Sequence, residues 1–245
     1  MTERIVGEMS AMPMLRICAW CIHLLTASGV VFGLLALSEI EKSHWIMAII
    51  YLLIALIIDG VDGPLARKIS IKTVLPRFDG TTLDLLVDYF TFVIVPALIF
   101  YRSEILPAPL RFAAAAAILM SALHHYCNLD IKTADGYFVG FPAFWNIAVF
   151  YLYRFPPAPW CAALMVFLLC ALTLVPIKVV HPFRVKKFRV ATFAVTLFWG
   201  VLAVSALARP AWQSSWLLAG NLAPLAYFTW ISLRRTFAGS DFLAR

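Results

Sequence analysis

The chain has 245 residues, is 63% hydrophobic and has a mean hydropathy of +0.89. Soluble domains are nearer half apolar, so these values exclude a soluble globular protein and point to an integral membrane one. The formal charge of +7 then reads as basic residues at cytoplasmic loops and anionic headgroups, not as a nucleic-acid surface.

Residues 1–16 carry Glu3, Glu8 and Arg16, so no cleavable signal is expected there. Eight spans follow, at roughly 17–38, 45–66, 82–101, 110–127, 138–155, 158–178, 190–208 and 211–233. No polar stretch is long enough for a second domain, so 1–245 reads as one membrane-embedded catalytic domain of all-α class. Cys18 and Cys21 have no second pair to complete a metal site and read as packing. In the cytoplasmic half of the first span, Thr26, Ser28 and Gly29 are small enough for a neighbouring helix to come close, and His23 reads as a packing residue.

The second and third spans meet at residues 59–88. Asp59, Asp62, Gly63, Ala66 and Arg67 follow i, i+3, i+4, i+7, i+8, one face of a helix, and Asp84 and Asp88 are i, i+4 on the next. Asp59 lies about 21 Å of helix beyond Trp45, and Tyr101 about 20 Å beyond Asp88. If Trp45 and Tyr101 mark one interface, both acid pairs sit at one depth near the other. Antiparallel helices then bring four carboxylates together. They repel unless a cation joins them, and carboxylate oxygens without Cys or His favour Mg²⁺ or Mn²⁺ over zinc. Gly63 and Ala66 leave room on that face, and Pro64 removes a hydrogen bond to Gly60 and should loosen the helix end.

Further on, residues 128–146 combine Asp130, Asp135 and Asn146 with Tyr137, Phe138, Phe141, Phe144 and Trp145. An interfacial aromatic belt explains Tyr137 and Phe138 well but Trp145 and Asn146 less well. After the sixth span, Lys178, Arg184, Lys186 and Lys187 form a basic stretch: the last two read as anionic-lipid contacts, and Lys178 and Arg184 as candidates to hold a substrate phosphate. With the N-terminus in the cytoplasm, the basic stretches at 67–77, 178–189 and 234–235 share that side with the acids, and only Lys42, Arg102, Arg111, Arg154 and Arg209 face the other.

The pattern Asp59-x-x-Asp62-Gly63-x-x-Ala66-Arg67 followed by Gly80-x-x-x-Asp84-x-x-x-Asp88 resembles the signature of the CDP-alcohol phosphotransferases. The interval from Arg67 to Gly80 is longer than in most of the family and is similar to that of its bacterial phosphatidylcholine synthase branch, as are the 128–146 and 175–187 stretches. The resemblance implies a six-helix core plus two helices, in a multi-pass protein of the bacterial inner membrane with its site facing the cytoplasm. It implies transfer of the phosphatidyl group of CDP-diacylglycerol to choline with release of CMP. Two divalent cations, Mn²⁺ or Mg²⁺, would be held by Asp59, Asp62, Asp84 and Asp88, with Asp88 as general base. CDP-diacylglycerol would be bound by Gly63, Ala66, Arg67 and Gly80, and the protein would be a homodimer. Choline, a permanent cation, calls for aromatic faces and acids. Tyr126, Phe144, Trp145 and Asn146 are the candidates, with Tyr89, Tyr137 and Phe141 nearby and Asp130 or Asp135 as counter-charge.

Two other readings compete. A related enzyme could use serine or a phosphorylated acceptor, though clustered arginines near the acids, which the latter needs, are only scattered candidates in the sequence. An ion-coupled transporter would place acids near the midplane and repeat its halves, and neither is seen.

Overall fold

The computed structural model describes residues 2–131, 133–185, 187–208 and 215–238, with side chains from Pro13 onward. Lys132, Lys186, Arg209 and Pro210 lie outside them. The chain folds as α1 (Thr2–Glu41), α2 (Trp45–Lys68), a short α3 (Ile71–Val74), α4 (Gly80–Asp88) and α5 (Val95–Arg102). Then come α6 (Arg111–Cys127), β1 (Tyr137–Val139), α7 (Trp145–Arg154), α8 (Pro159–Leu174), β2 (Lys178–Val180), α9 (Arg189–Ala208) and α10 (Ser215–Phe237).

Among the described residues, five helical stretches are long and apolar enough to cross a membrane: Pro13–Glu41, Trp45–Lys68, Gly80–Arg102, Arg189–Ala208 and Ser215–Phe237. The third is α4 and α5 joined through a π-helical segment, Tyr89–Ile94. The expected spans at 110–127 and 158–178 appear as α6, with 17 residues, and α8, with 16. The expected span at 138–155 differs more. Only α7 is helical there, and its 10 residues reach about 15 Å, half a bilayer core. The reason is local: Gly140 and Ala143 both take positive φ, and β1 leaves the helical path to pair with another strand.

That pairing is antiparallel, Tyr137 opposite Val180 and Val139 opposite Lys178, and it makes the fold locally less than all-helical. It joins the aromatic stretch to the basic stretch. Hydroxyls of α10 satisfy the other edge of β2: the Val180 amide donates to Ser232 Oγ at 3.0 Å and the Lys178 amide to Thr236 Oγ1 at 2.8 Å. Trp145, Asn146, Val149 and Phe150 of α7 are buried at the centre of the bundle, where α7 packs on α2, α5 and the π segment.

An ion pair fastens α10 to the loop before β1. Arg235 Nε donates to Asp135 Oδ2 at 2.6 Å, and its guanidinium lies over the Tyr137 ring. Burial by itself raises the Asp135 carboxyl, but the bonds from Arg235 and Thr133 outweigh it and hold the group below the usual carboxylate range. A carboxylate whose folded value is the lower one stabilises fully above its unfolded value, and that share is lost as pH falls through the folded value. Asp135→Asn should therefore cost about 2 to 3 kcal/mol at neutral pH and flatten the acid side of the stability profile, as followed by thermal melting in detergent.

Candidate functional site

The site is built where α2 ends and α4 begins. Asp79 caps α4 by accepting from the amides of Thr81 at 3.0 Å and Thr82 at 3.2 Å, which sets where the helix starts. The Thr82 hydroxyl also donates to it, and this holds the exposed Asp79 carboxyl below its usual range. Asp84 and Asp88 follow one and two turns later. Their carboxylates and that of Asp59 on α2 offer oxygens that all lie within 4.8 Å of one another, and all three residues are half-buried.

Small residues let the helices come this close. A Cβ on Gly29 of α1 would lie 2.6 Å from Val87 Cγ1, and one on Gly33 would run into the Phe90 ring. On Gly80 it would strike the His23 ring, which packs against Trp20 and Phe78. The expected close approach through Gly29 is thus present, and His23 is a buried packing group.

Asp62 does not join the three-acid group. At i+3 from Asp59 it is rotated about 60° around the helix, toward α1. There it is 3% exposed and accepts a hydrogen bond of 2.5 Å from Thr26 Oγ1. Thr26 read from the sequence only as a small residue; that its hydroxyl would face an acid 36 positions away has no local signal. Arg67, two turns past Gly60, folds back so that a Cβ on Gly63 would lie 3.3 Å from its Nη1. Ala66 is half-buried on the same helix.

Arginines scattered in sequence converge on the flank of the site. Arg67, Arg184 and Arg189 line one cavity of about 410 Å³ with Phe183 and Val185. Lys178 is elsewhere, in β2.

Aromatic rings also lie close to the acids. The Tyr126 phenol is near enough to Asp88, Asp59 and Asp84 to feel all three charges. Its ring meets Tyr89 and His125 edge-on at 5.7 and 5.8 Å. Phe144 packs on Phe92, one turn beyond Asp88, and on Phe138, which stacks on His181 at 4.7 Å. Trp145 lies deeper, against Phe100 and Phe141, and Trp145 Nε1 and Asn146 Nδ2 are buried without a hydrogen-bond partner among the described residues. Asp135 is committed to Arg235, and Asp130 is exposed in the loop.

The donor set at Asp59, Asp84 and Asp88 is carboxylate oxygen alone, which suits a hard divalent cation. An all-oxygen acid cluster at the polar ends of adjacent membrane helices, flanked by arginines, has the chemistry of a membrane-embedded transferase acting on phosphate esters. The chain belongs to the CDP-alcohol phosphatidyltransferase family, whose description it matches over residues 13–230. It is 40% identical to the phosphatidylcholine synthase of Pseudomonas aeruginosa, over 94% of this chain and 96% of that one. It is 37% identical to the phosphatidylcholine synthase of Rhizobium meliloti over 88% of this chain and 89% of the other. The corresponding protein of Legionella pneumophila is 32% identical over 89% of each.

Gly80→Val adds a branched side chain where the His23 ring already sits. It should push α4 off α1 and lower stability by about 1 to 3 kcal/mol, measured by thermal melting against Gly80→Ala as the milder step.

Proposed function

We propose that this protein is a phosphatidylcholine synthase that transfers the phosphatidyl group of CDP-diacylglycerol to choline and releases CMP. Three carboxylates within 4.8 Å of one another, in a chain with relatives of that name over most of its length, carry this reading. Residues 1–245 would act as one catalytic domain in the bacterial inner membrane, with the acids facing the cytoplasm and the protein working as a homodimer. Two divalent cations, Mn²⁺ or Mg²⁺, held by Asp59, Asp84, Asp88 and Asp62, would supply charge neutralisation to the diphosphate.

The residues themselves divide the remaining work. Arg67 adds a fixed cationic fork for a phosphate oxygen, and Gly63, Ala66 and Gly80 leave room for the nucleotide. Tyr126 and Phe144 present ring faces to the trimethylammonium group next to the acids. Trp145 and Asn146 stand behind Phe144 and hold that wall. Asp88 takes the hydroxyl proton of choline as its oxygen bonds to the phosphatidyl phosphorus. The bond that breaks runs from this phosphorus to the bridging oxygen, and that oxygen leaves with CMP.

The test is an incubation of purified protein with CDP-diacylglycerol, labelled choline and Mn²⁺, followed by lipid extraction. Choline label should enter the lipid; serine label entering in its place would reassign the acceptor. Asp88→Asn should reduce turnover at least about a hundredfold and leave CDP-diacylglycerol binding largely intact. Tyr126→Ala should raise the KM for choline about tenfold with little change in that for CDP-diacylglycerol, and equal rises in both would remove Tyr126 from the acceptor site.

A further inference from the structure

We propose that the cavity lined by Arg67, Phe183, Arg184, Val185 and Arg189 is a phosphate-binding site beside the acid cluster, one that takes the phosphate of an anionic lipid headgroup or of a soluble phosphate. Its volume, about 410 Å³, holds a headgroup and not a whole lipid. Three guanidinium groups share it. None of them takes part in an ion pair or donates a hydrogen bond to a described residue. Arg67 feels the like charges of both Arg184 and Arg189, which the negative charges of Asp62 and Asp84 offset in part, and a bound anion would relieve the remainder.

The loop that brings these arginines in is held in place, unlike a freely solvated basic tail. Phe183 packs over Gly60, where a Cβ would lie 3.1 Å from its ring. The Arg184 backbone closes on Gly136, where a Cβ would come within 2.6 Å of the Arg184 carbonyl oxygen and φ is +88°. Strand β2 ties the start of the same segment to β1. The chemistry also excludes choline: a trimethylammonium group has no reason to enter a cavity of three positive charges. Basic pockets between membrane helices on the cytoplasmic side suit anionic lipid headgroups, and the forked guanidinium matches phosphate oxygens in pairs.

Arg67 also belongs to the proposed donor site, so the test uses Arg184 and Arg189. It is run without CDP-diacylglycerol and with EDTA, which keeps it independent of the transferase reading. Wild-type protein in neutral detergent is titrated with inorganic phosphate, with short-chain phosphatidylglycerol and with short-chain phosphatidylethanolamine, and the melting temperature is followed. The temperature should rise with a net anionic phosphate and not with the zwitterionic lipid. Phosphatidylglycerol acting at lower concentration than phosphate assigns a lipid headgroup, and the reverse assigns a soluble ligand. Arg184→Gln/Arg189→Gln should raise the half-saturating concentration about tenfold or more, the loss of roughly 1.4 kcal/mol. Arg184→Lys/Arg189→Lys, which keeps the charge and loses the fork, should lie between. The two lipids acting alike, no response to either anion, or a Gln variant matching wild type would each overturn the site.

Discussion

The structure depends on tight helix packing that forces acids together against their own repulsion. Gly29 and Gly33 let α1 press on Val87 and Phe90, and Gly80 lets α4 slide under the His23 ring. With α2 alongside, Asp59 lies beside Asp84 and Asp88. Two unit charges at 4.8 Å repel by about 3 to 4 kcal/mol at an effective dielectric of 20, and there are three such pairs here. Apolar packing across the bundle holds that arrangement, and a divalent cation turns the same repulsion into binding energy.

Two unlike groups of side chains adjoin this cluster, and the proposed reaction uses them as two walls. Arginines from α2, the 181–188 loop and the start of α9 form one, suited to phosphate. Rings of Tyr126 and Phe144 form the other, suited to a cation without hydrogen-bond donors. The short strand pair β1–β2 ties the stretch that carries Phe144 to the one that carries Arg184, and the Asp135–Arg235 pair fixes it to α10. A half-length α7 serves the same end: starting at Trp145 in mid-bundle, it leaves the preceding residues free to leave the helical path and carry Phe138 and Phe144 toward the acids.

Much of this was readable in the sequence because it obeys a helical period. The i, i+3 and i, i+4 spacings of the aspartates put them on single faces, and the long apolar runs set most of the spans. What was hidden depends on contacts between distant segments. The spacing shows which helix face Asp62 occupies but not that the Thr26 hydroxyl of another helix donates to it. Arg67, Arg184 and Arg189 looked scattered because no period relates a helix end to a loop more than a hundred residues later. The span at 138–155 read as a full helix because its residues are apolar, whereas backbone pairing with Lys178–Val180 and the positive φ of Gly140 take its first part out of helix.

The most direct measurement of the central claim is electron paramagnetic resonance of Mn²⁺ added to the purified protein in detergent, without substrate. The account predicts a tightly bound Mn²⁺ fraction in the wild type that is lost in Asp84→Asn. Undiminished tight binding in that variant, or none in the wild type, would contradict it.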